Sequence, residues 1–93
     1  MNYRIFETNG FCKDLQHNFG GRQQKIHTKL RNYVYPHLRD QPRLGKNIRK
    51  LKEYSPETWR YRIGEYRFFY QIDEKEKIVF LIAAEHRKQA YSK

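Results

Sequence analysis

Apolar residues recur along this chain with two periods, a helical one in the first half and a β one in the second. Residues 2–8 read as an opening strand with Tyr3, Ile5 and Phe6 as its apolar members. Asn9 suits a helix N-cap. Phe11, Cys12, Leu15 and Phe19 then form one helical stripe, which Gly20-Gly21 ends. A second helix is expected from about Arg22, with Ile26, Leu30, Tyr33 and Val34 buried. Pro36 is expected to break or kink it, with room for one more turn through Leu38.

Past residue 40 the helical period is lost. Residues 41–47 read as a loop and residues 48–53 as a strand with Ile48 and Leu51 apolar. Ser55-Pro56 marks a turn. Residues 58–72, TWRYRIGEYRFFYQI, read as a β-hairpin turning at Gly64-Glu65. Strand alternation puts Trp59, Tyr61 and Ile63 on one face and Arg60 and Arg62 on the other, and Arg67 returns on the second strand. Residues 73–77 make a charged turn. Residues 77–84, KIVFLIAA, are a continuous apolar run, as expected of a central strand buried on both faces. The order β-α-α-β-β-β predicts a single domain of the α+β class: a small twisted antiparallel sheet with two N-terminal helices on one face. The other face is left for the arginines.

Charge decides what that face is for. The 93 residues carry 20 Lys+Arg against 10 Asp+Glu, a net charge of +10. That imbalance calls for a polyanionic partner: nucleic acid first, then an anionic membrane or an acidic protein. Most charge runs are merely solvated faces. Here, however, the basic residues Arg43, Lys46, Arg49, Lys50 and Lys52 lead straight into a hairpin in which Arg60, Arg62 and Arg67 alternate with aromatics. Nucleic-acid contact is the better reading. Guanidinium groups held on a rigid sheet suit phosphate.

Four further residues follow the apolar strand: His86, Arg87, Lys88 and Tyr91. The strand end is expected to bring them to the sheet margin, where the hairpin arginines converge. A histidine there can move a proton near neutral pH, and a tyrosine can stack on a base or donate a hydrogen bond. His17, His27 and His37 lie in helical stretches and read as structural or exposed.

Several chemistries find no support. The lone Cys12 forms no intramolecular disulfide, completes no zinc motif, and reads as a buried structural thiol. No H-E-x-x-H, P-loop or G-x-G-x-x-G occurs, so neither a metal nor a cofactor is expected. No signal-peptide core and no run of 18 apolar residues is present. A cytoplasmic setting is therefore expected, with no membrane partner.

The hairpin WRYRIGEYRFFYQI, the strand IVFLIA and the terminal HRKQAY together resemble the RelE/ParE superfamily of type II toxins. The likeness includes the element order and the F-x-K-D-L pattern at residues 11–15. It implies a cognate acidic antitoxin that wraps the toxin in a hetero-oligomer. For the RelE branch it implies metal-independent cleavage of mRNA in the ribosomal A site, by attack of a 2′-hydroxyl on the adjacent phosphate. Carried over by position, Arg60 and Arg62 bind phosphate and Arg67 contacts the transition state. His86 or Arg87 supplies the C-terminal basic group, and Tyr91 the terminal aromatic. RelE has lysines where this chain has Arg60 and Arg62, and an arginine is a poor base. Proton abstraction is then expected to fall to Glu53, Glu57 or His86, with His86 favoured. The ParE branch of the superfamily instead inhibits DNA gyrase by binding and cuts no RNA.

Overall fold

The computed structural model describes residues 2–86. Strand β1 (Arg4–Glu7) leads into helix α1 (Asn9–Asn18). A 3₁₀ turn at Gly20–Arg22 opens α2 (Gln23–Lys29), which runs through a π turn (Leu30–Val34) into α3 (Tyr35–Asp40). Strands β2 (Ile48–Leu51), β3 (Thr58–Ile63), β4 (Tyr66–Asp73) and β5 (Ile78–His86) follow.

The five strands form one sheet in the order β1-β5-β4-β3-β2. Strands β2 to β5 are an antiparallel meander, as the short turns require. β1 enters parallel to β5, so the α+β sheet is mixed. The helical segment between β1 and β2 carries the chain from one edge of the sheet to the other, and β5 comes in beside β1 only after the meander.

The helices cover one face only. Phe11, Leu15 and Phe19 from α1 pack with Ile26, Leu30, Val34 and Leu38 onto Tyr61, Phe68, Tyr70, Val79 and Leu81 of the sheet. β5 is therefore buried on its helix-facing side and only half-buried on the other, not enclosed on both. Cys12 is exposed, not buried. Phe11, Leu15 and Phe19 repeat at i, i+4 and i+8, and Cys12 lies a further 100° round the helix from Phe11.

Two local devices differ from the sequence reading. Thr8 rather than Asn9 caps α1, its Oγ1 accepting from the Phe11 N–H at 3.3 Å. Tyr33 is not buried but 67% exposed. The cause is the π turn ahead of Pro36, in which the Tyr35 N–H donates to the Leu30 carbonyl five residues back. The wider turn carries the helix past the proline; Val34 is buried as expected, and Tyr35 and Leu38 turn inward in place of Tyr33.

The junction of α1 with β5 fixes the far end of the sheet. Beyond Leu81, where β1 stops, the Asp14 carboxylate accepts from the Ala84 N–H at 2.9 Å. Gly10, one turn earlier, has the room its missing side chain leaves: a Cβ there would sit 3.3 Å from the Ile82 carbonyl oxygen. In this stretch the β4–β5 register slips by one residue between Phe69 and Tyr70. The bulge reverses which face the last residues of β5 present.

Candidate phosphate-binding site on the open face of the sheet

Strand alternation and register place the arginines. Arg60 and Arg62 alternate with the buried Tyr61 and so point away from the helices. Arg49 on β2 stands opposite Arg60, and Arg67 on β4 stands opposite Arg62. All four share the uncovered face. The β3–β4 turn is tight because Gly64 takes a left-handed conformation (φ 56°), and its carbonyl accepts from Arg62 Nε at 3.2 Å. Lys46, Asn47, Arg49, Arg60, Arg62 and Gly64 line a cleft of about 460 Å3. The Arg62 N–H donates to the Asn47 carbonyl at 3.0 Å, tying the 41–47 loop to the hairpin.

Like charges crowd this cluster. Partial burial, followed by the like charges of Arg49, Arg62 and Arg67, lowers the Arg60 pKa from its ordinary value. The Nε atoms of Arg60 and Arg67 are buried with no hydrogen-bond partner. Arg67 does have a carboxylate nearby, with Glu85 Oε1 3.0 Å from its terminal nitrogen. Native structures seldom leave buried donors unpaired, and the one on Arg60 belongs to a residue that lines the cleft.

Not all the expected residues gather here. His86 lies on the opposite, helix-covered face. The β5 bulge turns it toward Tyr66 (ring centroids 5.0 Å apart) and Phe19 (6.2 Å). Its Nε2 is 3.6 Å from Glu65, so the convergence with the arginines is not formed. Arg43 is engaged elsewhere. It lies 3.2 Å from Glu57 and 2.9 Å from Glu74, tying the loop to two turns. Partial burial tends to lower the Arg43 pKa, but the bonds to Glu74, Glu57 and Tyr3 outweigh it and hold it above the ordinary value. Glu57 is a poor base. Burial alone raises its pKa, yet the bonds from Trp59 Nε1 (2.6 Å) and Arg43 leave it lowered. Lys50 pairs with Trp59, on the helix side of the sheet, and Lys52 and Glu53 are exposed beyond the end of β2. Arg87, Lys88 and Tyr91 lie outside the described residues.

The sequence reading missed two members of this face. Glu85 stands opposite Arg67, and Phe69 stands opposite Arg60. The alternation in β4 already put Phe69 in phase with Arg67. Glu85 had no such signal, because its face depends on the bulge. Among the described residues, no three His, Cys, Asp or Glu side chains cluster in a way that suits a metal ion. No described helix is long and apolar enough to cross a membrane.

Residues 11–91 match the family model described as the ParE toxin of the type II toxin-antitoxin system parDE. The chain belongs to this toxin family, within the RelE/ParE superfamily. No curated protein sequence matches it. The fold of the toxin is similar to that of the RelBE2 toxin-antitoxin complex of Mycobacterium tuberculosis (TM-score 0.72, 22% identity, 94% of this chain and 100% of that one). It is also similar to the RelE-RelB complex of Pyrococcus horikoshii (0.67, 21%, 94% and 97%). A third similar structure is the YoeB dimer of Staphylococcus aureus (0.67, 19%, 92% and 98%). At these identities the likeness concerns the fold.

Proposed function

We propose that this toxin is a ribosome-dependent mRNA endoribonuclease that needs no metal and stops translation by cutting mRNA in the ribosomal A site. The observation that supports it best is the set of four arginines on the open face, two of them with buried, unpaired Nε atoms. An RNA phosphodiester offers acceptors to the guanidinium groups that this face presents. In this reading Arg60 and Arg62 hold the scissile phosphate, and Arg67 stabilises the charge that develops on it. Lys46 and Arg49 contact the neighbouring backbone. The RNA 2′-hydroxyl attacks, leaving a 2′,3′-cyclic phosphate and a 5′-hydroxyl. Tyr91 is assigned to the reacting nucleotide by its family position alone. The toxin acts in the cytoplasm, where its substrate is.

The partner that restrains it is an acidic antitoxin. Two of the similar structures are the RelBE2 toxin-antitoxin complex of Mycobacterium tuberculosis and the RelE-RelB complex of Pyrococcus horikoshii. The net charge of +10 gives an acidic segment a large electrostatic reward for covering the arginine face.

A second reading, gyrase inhibition by binding, is favoured by the ParE description of the matching family. One experiment separates the two. Primer-extension mapping of an mRNA in a translating extract is run beside a gyrase supercoiling assay. Discrete in-frame cuts with gyrase unaffected support the nuclease. Inhibited supercoiling with intact mRNA supports the inhibitor.

A further inference from the structure

The arginines are not the only unusual occupants of the open sheet face. Phe69 is half-buried there, beside Arg60 on one neighbouring strand and the small Ala83 on the other. Phe80 lies on the same face of β5, and Phe6 stands opposite it on β1. The two rings meet edge to face with centroids 5.7 Å apart. Phe6 is 54% exposed although it belongs to a regular strand. Arg4, two residues away on the same face, is exposed as well. Apolar rings are left uncovered by the helices, and cations stand at both ends of the row. From Arg60 to Phe6 the row crosses three strand spacings and slants two residues along the strands, because Phe80 stands opposite Gln71 rather than Phe69, a span of roughly 16 Å.

One exposed and two half-buried rings on a sheet, bordered by arginines, suit one class of ligand. Single-stranded RNA presents a charged backbone to the cations and unstacked bases to the ring faces. An acidic protein segment would satisfy the charges but has no need of aromatic faces. We propose that Phe69, Phe80 and Phe6 form a base-stacking track that carries single-stranded RNA from the arginine cleft to the edge strand β1, with Arg4 holding its far phosphate. This rests on the RNA reading above. It adds a path for the nucleotides flanking the scissile bond, on residues that bring no reactive group.

The test measures binding of a fluorescent ten-nucleotide 2′-O-methyl oligoadenylate, which cannot be cleaved, to the full chain over a range of salt concentrations. Phe6→Ala and Phe69→Ala are each expected to weaken binding about tenfold, the scale for losing one stacked base. The slope of affinity against salt should stay unchanged, since no phosphate contact is removed. Arg4→Ala should instead reduce that slope. Phe6→Trp should restore binding, and its indole fluorescence should be quenched by the RNA. Phe6 is exposed on an edge strand, so its replacement leaves the core intact. Wild-type affinity in Phe6→Ala, with mRNA still cut in the extract, would overturn the track and leave the nuclease standing. Unchanged RNA binding with weakened antitoxin binding would make the face a protein-docking surface and overturn the track. No RNA binding or cleavage by the wild type would overturn both readings.

Discussion

Arg62 and Arg67 stand directly opposite one another on β3 and β4. Like charges in that relationship destabilise a sheet. The fold tolerates the pair because Glu85 lies 3.0 Å from Arg67 and Arg62 is exposed where it lines the cleft. Arg62→Thr is therefore expected to stabilise the free toxin by a few tenths to about 1 kcal/mol, raising Tm by a few degrees. The gain should shrink in high salt, because Arg62 is exposed. The same variant should cut mRNA more slowly. Thermal melts at two salt concentrations beside a single-turnover assay test this, and a less stable, fully active variant would count against it.

Arg67→Ala should lower the single-turnover cleavage rate by roughly 10²-fold, the scale for removing one preorganised electrostatic donor. Substrate binding should change less, since Arg60, Arg62 and Arg49 remain. Cleavage by Arg67→Ala at the wild-type rate would remove Arg67 from the reaction.

His86→Gln should leave the cleavage rate within a few-fold and its pH profile unchanged, because the ring packs at a tilt against Tyr66 and Phe19 on the far side of the sheet. Stability should instead fall by about 0.5–1.5 kcal/mol, the typical worth of such an aromatic contact. A flattened pH–rate profile near neutrality with an unchanged Tm would return His86 to the chemistry.

Asp14→Ala removes the carboxylate that accepts from the Ala84 N–H. A hydrogen bond to a charged group contributes about 1.5–3 kcal/mol, so a loss of that order is expected by urea titration. Asp14→Asn should recover part of it. Hydrogen exchange at residues 82–86 should quicken in Asp14→Ala, and unaltered exchange there would mean that the bulge is held by other contacts.

Acid stability should depend on Glu74. Its bonds from Lys77, Tyr3 and Arg43 hold its carboxyl at about 2, below the ordinary 4.5. A depressed folded-state pKa contributes stability that is complete above the unfolded value and disappears as pH falls through the folded one. Tm should thus decline between about pH 4.5 and 2 in the wild type. In Glu74→Gln that decline should be shallower. The carboxylate is solvent-exposed, so high salt should reduce the difference. Identical Tm–pH curves for the two proteins would exclude the contribution.

Much of the architecture was legible because it rests on local rules. The alternation of Arg60 and Arg62 against Trp59, Tyr61 and Ile63 gave the hairpin and its faces, since a strand has a period of two whatever surrounds it. Gly64-Glu65 gave the turn, and the i, i+4 spacing of Phe11, Leu15 and Phe19 gave the buried side of α1. Even Tyr33, exposed against expectation, is a phase error of one π turn set by Pro36 nearby in the chain.

Non-local pairing decided the rest. Sequence alternation cannot show a bulge in β5, because the run IVFLIAA is apolar at every position. One extra residue there sends His86 under the helices and Glu85 to Arg67. Similarly, only folding brings Arg43 between Glu57 and Glu74, 14 and 31 residues away, and so away from the cleft. The sequence alone determined which side chains alternate along each strand and how much positive charge they carry. Which strand lies beside which, and hence which arginines meet, which stay unpaired and which rings remain uncovered, was settled only by tertiary pairing. The physical reason is that a strand's faces follow from its own geometry, whereas its neighbours and register follow from burying one common core.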